Sequence, residues 1–358
     1  MENGLVNVAS RLASQGFGFY VCCLEQGGEF AARLPEPANV RILDKPPGLS
    51  WRTAARLAHV VRSVRPDLIH THNYGPLIYT VFSRLFGGGN VPILHGEHGM
   101  LFPYEIRRSH VWLRRWLYAR CARVHTVSRS LCDHFSEHGF PGHRMEAVIN
   151  GVDSDRFQPA SDETVRRRFN IPDDARVVGI LGSFAWRKRH ELVLQAFEIL
   201  AREMPDLHLL VVGAGGTEQA RVEQLCRAHP ASSRIHLAGF QSDPRPFYRA
   251  MNLLVVPSVN EGLSNATLEA MACGIPALCH VACGNAEVIT SGQDGMVADL
   301  GDAEKLCARL KAALENPARL ARMGTAARQT VVSRFSIHSM VEHYARLYRT
   351  VAGRETVR

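Results

Sequence analysis

Two spacings of apolar residues alternate along the chain. Compact apolar runs at 40–43, 68–70, 91–94, 123–126 and 147–149 read as buried strands, and between them 51–64, 75–86, 110–121 and 129–138 carry apolar residues at helical spacing. Ahead of them Leu5, Val8, Ala9 and Leu12 mark a helix that Gly16 ends, so the first strand is expected over 17–24. The same alternation restarts after 159, with strands at 177–181, 208–212, 235–238 and 253–256 and a helix over 266–273 closed by Gly274 and Pro276. Helices from Asp302 onward close this half, the last over 337–351. Strand and helix in regular alternation with short connections predict parallel sheets covered on both faces, an α/β chain of two Rossmann-like domains.

At 358 residues the chain can bury two cores of ordinary size. Its composition, 46% hydrophobic and 21% charged, is that of a globular protein. No apolar run reaches the roughly 18 residues that span a bilayer, and the N-terminus lacks a basic-then-apolar leader pattern, so a cytoplasmic protein is expected. Nine scattered cysteines with no C-x-x-C pair suggest neither a disulfide framework nor a zinc site. The net charge of +8 fits an anionic partner such as a nucleotide, a lipid phosphate or nucleic acid, and does not choose among them.

The most informative stretch is 257–276, PSVNEGLSNATLEAMACGIP, which links a strand to a helix. Ligands collect beyond the carboxyl ends of parallel strands, and a helix start offers N–H groups and partial positive charge to a phosphate. Asn265 reads as the N-cap, approached through Gly262, Leu263 and Ser264. Glu261 leaves the strand end and Glu269 sits one turn into the helix. Both are acceptors only, suited to sugar or ribose hydroxyls rather than to phosphate. The bland alternatives are a solvated loop charge for Glu261 and a capping-box partner for Glu269, although a capping box wants a spacing of three and here it is four.

Together with the following CGNAEVITSGQDGMV, this stretch resembles the two-glutamate motif of the retaining glycosyltransferases of family 4, which have the GT-B fold. The resemblance implies two Rossmann-like domains whose parallel sheets face a central cleft. On this reading 1–158, completed by the C-terminal helix and tail 337–358, forms the acceptor domain, and 159–336 forms the nucleotide-sugar donor domain, with INGVDSDRFQP between them. It further implies that Glu261 contacts the transferred sugar, Glu269 holds the ribose, and the helix start receives the diphosphate. Lys188, in GSFAWRKRH, falls on a lysine that neutralises the departing diphosphate. Ser183 stands where an arginine is common, so Arg187 or Arg189 would supply the second positive charge. Gly213 lies in the turn expected beneath the nucleoside, Phe240 at the strand end expected to contact the base, and His98 lines the cleft near the sugar. The reaction needs no metal and no cofactor besides the nucleotide diphosphate sugar, which is its donor substrate.

Several readings remain open. His70 and His72 in IHTHN have H-x-H spacing, but no third ligand is implied, and structural histidines are the simpler reading for His70 and His95. Residues 107–123, RRSHVWLRRWLYARCAR, interleave arginines with Trp112, Trp116 and Tyr118, which suits an anionic membrane surface or a solvated basic face with its aromatics in the core. The opening helix looks like one that follows a strand and a glycine-rich turn in the family, so the chain is expected to be an N-terminally shortened version, with unpaired strand edges and doubtful activity if that strand is absent. ENGLVN, GEHG and NGVD resemble the subgroup tied to bacterial exopolysaccharide and exosortase systems. The expected activity is therefore that of a hexosyltransferase acting on a saccharide or lipid-linked acceptor, in the cytoplasm or peripheral on the inner face of the plasma membrane, with no nucleic acid involved. The alternatives are a catalytically silent or truncated sugar-nucleotide binding protein, or another GT-B enzyme such as an epimerase or phosphorylase. A dinucleotide oxidoreductase is disfavoured, because no glycine turn has the dinucleotide fingerprint.

Overall fold

The computed structural model describes residues 2–140, 145–281 and 284–354. Residue 283, which opens the CGNAE stretch, and residues 355–358 of the expected C-terminal tail lie outside them. The chain divides into two compact units, 1–150 with 338–358, and 151–337. The division falls eight residues before the expected 158/159 boundary because the intervening segment is built into the second unit. Val152 pairs with Ser336 in a parallel bridge, and the Arg328 guanidinium donates to the carbonyls of Ser154 and Phe157 at 2.8 and 2.6 Å.

The first unit contains α1 (Glu2–Ala13), β1 (Val21–Cys23), β2 (Val40–Ile42), α2 (Trp51–Val64), β3 (Ile69–His72), α3 (Tyr74–Ser83), β4 (Ile93–Glu97), α4 (Arg108–Tyr118), β5 (Arg123–Thr126), α5 (Arg129–Glu137) and β6 (Met145–Ala147). β3, β4, β5 and β6 form a parallel sheet in that order, while β1 and β2 form a separate parallel pair. The strand expected over 17–24 shrinks to β1, because its approach is held by side chains instead: the Phe17 ring packs edge-on against Tyr348, and Phe19 O accepts from Asn39 Nδ2. α2 shows how sequence sets an element. Ser50 caps it by accepting the Thr53 N–H on its hydroxyl, Arg65 ends it in a left-handed conformation, and Ala54, Leu57, Ala58 and Val61 face the core.

The second unit contains α6 (Thr164–Arg168), β7 (Arg176–Leu181), α7 (His190–Glu203), β8 (Leu207–Val212), α8 (Gln219–Ala228), β9 (Ile235–Gly239), α9 (Arg245–Ala250), β10 (Leu253–Val256), α10 (Asn265–Ala272), β11 (Ala277–His280), β12 (Met296–Ala298), α11 (Ala303–Leu314) and α12 (Pro317–Arg334). Its six strands are parallel, in the order β12-β11-β10-β7-β8-β9. β7, β8, β10 and β11 are nearly continuous apolar runs, as befits strands covered on both faces by helices, and they pack with α7 and α11 into the unit's core. The last helix, α13 (Ile337–Val351), returns the chain to the first unit, where Tyr344 and Tyr348 are buried beside β3. Among the described residues no two cysteines are joined in a disulfide.

Candidate active site

From the β10-β7 pair the strand order of the second unit runs outward in opposite directions. The loops leaving these two strands therefore flank a topological switch point, where open α/β sheets hold their ligands. Their backbones are tied together, since the Val259 N–H donates to Arg187 O at 2.9 Å. Lys188 closes a short turn, Trp186–Lys188, and its side chain crosses Gly182, where a Cβ would meet Lys188 Cε at 3.3 Å. Its ammonium forms an ion pair with Glu261 Oε1 across the two loops. Among the described residues the second oxygen, Glu261 Oε2, is buried and has no partner. A buried carboxylate oxygen left without a donor is costly unless a ligand supplies one.

The structure moves the helix cap by one residue. Ser264, not Asn265, is the N-cap of α10, and Asn265 is the first helical residue. Ser264 is extended, its N–H donates to Asn285 Oδ1 at 3.1 Å, and its carbonyl accepts the Thr267 N–H at 3.1 Å. Its side chain makes no capping bond, so the approach through Gly262, Leu263 and Ser264 is held by burial and by Asn285. Glu269 is then five residues past the cap, which excludes the capping box. It accepts instead from the buried Tyr248 hydroxyl at 2.8 Å. Burial pushes the Glu269 carboxyl up to about 7, against the lowering effect of the Tyr248 hydrogen bond and the Arg156 charge.

The ends of β7, β8 and β9 are stitched together beside these groups. Gly182 N–H donates to Val212 O and Gly213 N–H to Gly239 O, each at 2.9 Å. Gly213 has φ +143°, and a Cβ there would lie 1.9 Å from Gly182 O, so the turn admits only glycine. Ser183 follows, with its carbonyl accepting the Ala185 N–H at 2.9 Å, and Phe240 stands about half exposed just past β9. The two arginines left open by the sequence separate here. Arg189 lies in the left-handed region, and its guanidinium donates to Leu300 O at 2.8 Å and Gly301 O at 2.5 Å. The Arg187 guanidinium has no hydrogen-bond or ion-pair partner among the described residues.

In the first unit β3 persists through His72, so His70 and His72 do share a face, with ring centroids 4.1 Å apart. His98 follows β4 and shares a hydrogen bond with His72, Nε2 to Nδ1 at 2.9 Å. His70 bonds His125 at 2.8 Å and Tyr348 at 2.9 Å, whereas His95 bonds Thr71 at 2.8 Å and Glu97 at 3.0 Å. Burial and neighbouring histidines hold His70 and His98 well below the ordinary histidine value and bring His72 and His125 down to about 3. These are neutral rings at pH 7. Among the described residues the grouping spaced as metal ligands is His134 and Glu137 on α5 with His138 just after it, not the H-x-H pair.

Sequence reasoning missed Tyr248, Asn285 and His125 as partners of site residues. Asn285 carried a signal in CGNAE, but nothing marked Tyr248, which reaches Glu269 from α9 only once both helices are packed.

Two parallel-sheet units of this kind, with a paired lysine and glutamate at the switch point of the second, define a GT-B glycosyltransferase. Residues 1–156 match the model of Glycosyltransferase Family 4 and residues 161–330 that of Glycosyl transferases group 1. The chain belongs to family 4 of the glycosyltransferases. It is 24% identical over 312 residues to the glycosyltransferase EpsD of Bacillus subtilis, covering 84% of this chain and 81% of EpsD. It is 25% identical over 312 residues to the N-acetyl-alpha-D-glucosaminyl L-malate synthase of Bacillus anthracis, covering 83% and 78%. Among solved structures, Anabaena HepE in complex with UDP and glucose superposes with a TM-score of 0.83 at 20% identity, covering 97% of this chain and 95% of HepE. Among the described residues no helix is long and apolar enough to cross a membrane.

Proposed function

We propose that this glycosyltransferase retains anomeric configuration as it moves a hexose from a nucleotide diphosphate sugar to an acceptor hydroxyl, without a metal. The observation that carries the reading is the Lys188–Glu261 pair with one carboxylate oxygen unpartnered. That oxygen can accept from a sugar hydroxyl while Lys188 faces the diphosphate. Glu269 accepts from the ribose, the start of α10 and Arg187 add positive potential, and Gly213 and Phe240 flank the nucleoside. His98, a neutral ring, orients the sugar. In the reaction the acceptor oxygen bonds to the anomeric carbon as its bond to the diphosphate oxygen breaks, and the acceptor proton passes to the departing diphosphate. Lys188 stabilises the charge that develops there. HepE binds UDP and glucose, and a Mycolicibacterium relative is GDP-mannose-dependent, which supports a nucleoside diphosphate donor and leaves the base to experiment.

The relatives include enzymes of lipopolysaccharide core and capsular polysaccharide biosynthesis, which supports a saccharide or lipid-linked acceptor in exopolysaccharide or glycolipid synthesis, with the enzyme peripheral on the inner face of the plasma membrane. Thermal-shift titration with a panel of nucleoside diphosphates, followed by assay of donor turnover with and without acceptor, tests the reading. A nucleoside diphosphate that raises the melting temperature and a cognate sugar donor consumed with acceptor are expected. Binding without turnover under any acceptor would favour a silent sugar-nucleotide binding protein.

A further inference from the structure

Between Lys45 and Arg129 the sequence holds thirteen lysines and arginines against three acids, a surplus larger than the net +8 of the whole chain. The structure removes even those acids from play. Glu97 is buried, Glu105 pairs with Arg114 at 2.5 Å, and Asp67 pairs with Arg354 at 2.8 Å. Helices α2, α3 and α4 contain no acidic residue at all. On α4 one face, Arg114, Leu117 and Tyr118, is buried, while the opposite face carries Arg108, Trp112 and Arg115 at helical spacing in solvent. An aromatic chain extends this face to its neighbours: Trp116 lies 6.5 Å from Phe82, which lies 5.2 Å from Trp51. Trp51 is 52% exposed, Trp112 67% and Leu85 73%.

We infer that this composite face of α2, the turn after α3, and α4 is the docking surface for an anionic bilayer. Indoles and aliphatic side chains exposed among arginines, with no acid on any of the three helices and the nearby Asp44 paired with Arg56 at 3.4 Å, match the headgroup layer: the apolar groups enter at interfacial depth and the guanidiniums meet lipid phosphates. A second copy of the chain is disfavoured as occupant, since two such faces would bring like charge together. Exposed Leu49 and Leu85 also have no counterpart in nucleic-acid recognition, which would use stacking rings and arginines. The inference rests on the membrane-attached part of the reading above and not on the transfer chemistry.

Co-sedimentation of the full chain with vesicles of phosphatidylcholine, with and without phosphatidylglycerol, tests it. Binding only to the phosphatidylglycerol vesicles is expected, with a blue shift of tryptophan emission. The charge-reversed R108E/R115E variant should bind at least about thirtyfold more weakly, at about fivefold per arginine merely removed. L85S/W112A should lose the emission shift, and both should keep the wild-type melting temperature because they alter exposed positions only. Failure of the wild-type protein to bind any vesicle at low salt would overturn attachment altogether. Wild-type binding by both variants would overturn this surface while leaving attachment standing elsewhere, and preferential binding to RNA in competition would overturn the lipid as occupant.

Discussion

The Tyr248 hydroxyl donates to the Glu269 carboxylate at 2.8 Å, and it does so inside a packed region that holds the carboxyl up to about 7. Two consequences for pH follow. The ordinary carboxyl value is 4.5, so between 4.5 and about 7 the folded protein keeps a proton that the unfolded chain has released. Stability conferred by this group therefore falls as pH rises through that window. Ribose hydroxyls donate to the charged carboxylate, so nucleoside diphosphate affinity should instead rise between pH 6 and 8. Glu269→Gln, which still accepts from Tyr248, should flatten both trends and weaken nucleotide binding. Thermal melts and nucleotide titrations across the range read them separately; a wild-type affinity that does not change with pH would refute the ribose role.

Lys188 and Glu261 come from loops 73 positions apart and meet because β7 and β10 are neighbours. Lys188→Ala should lower turnover by about 10²–10³-fold, the range seen when one preorganised charge or donor is lost from a transition state. Nucleoside diphosphate affinity should change much less. The variant also leaves a largely buried carboxylate unpaired, a cost of roughly 1–3 kcal/mol. Single-turnover rates, nucleotide affinity and a melting curve on one preparation separate the effects. Equal losses in binding and turnover would mean that Lys188 acts in the ground state.

The strand pattern was legible because the buried strands of the second unit are nearly continuous apolar runs, and the expected helix over 51–64 carries its own cap signal in Ser50. The short strands of the first unit were less so: the run 17–24 looks continuous, but tertiary contacts of Phe17 and Phe19 leave only Val21–Cys23 paired. Glu261 and Glu269 could be singled out because they lie eight positions apart on one strand-to-helix connection, and Lys188 only through the resemblance of GSFAWRKRH to the family's segment; that Lys188 meets Glu261 follows from the strand order. The histidine cluster was not. His72 and Gly96 pair in register across β3 and β4, as do Gly96 and His125 across β4 and β5, and only this register brings the rings together. Gly96 is the residue that makes room, since a Cβ there would lie 2.6 Å from His125 Nε2.

That cluster bears on the rate profile. His98 is held well below the ordinary value of 6.5, first by burial and then by His72 and His125, so it should contribute no ionisation between pH 5.5 and 8. An inflection of kcat/KM near 7 is expected from Glu269 and should persist in His98→Asn at a lower rate. It should vanish in Glu269→Gln. Loss of the inflection in His98→Asn alone would show that the ring titrates and that its hydrogen bond with His72 does not hold it neutral.

Arg189 takes φ +55° as the residue that leads into α7, a conformation disfavoured for any side chain with a Cβ. Its guanidinium offsets the strain by donating to the carbonyls of Leu300 and Gly301, which fasten the segment before α11 to the loop of Lys188. Arg189→Ala keeps the strain and loses both bonds, a loss of about 2–3 kcal/mol if each charge-assisted bond is worth a little over 1 kcal/mol. Arg189→Gly loses the bonds but releases the strain, about 1 kcal/mol in its favour. Melting temperatures should therefore fall in the order wild type, Arg189→Gly, Arg189→Ala. Arg187, whose guanidinium has no partner among the described residues, should give the opposite signature: Arg187→Ala leaves the melting temperature unchanged and lowers donor turnover. A destabilised Arg187→Ala with normal turnover would assign the structural role to Arg187 and return Arg189 as the second cation at the diphosphate.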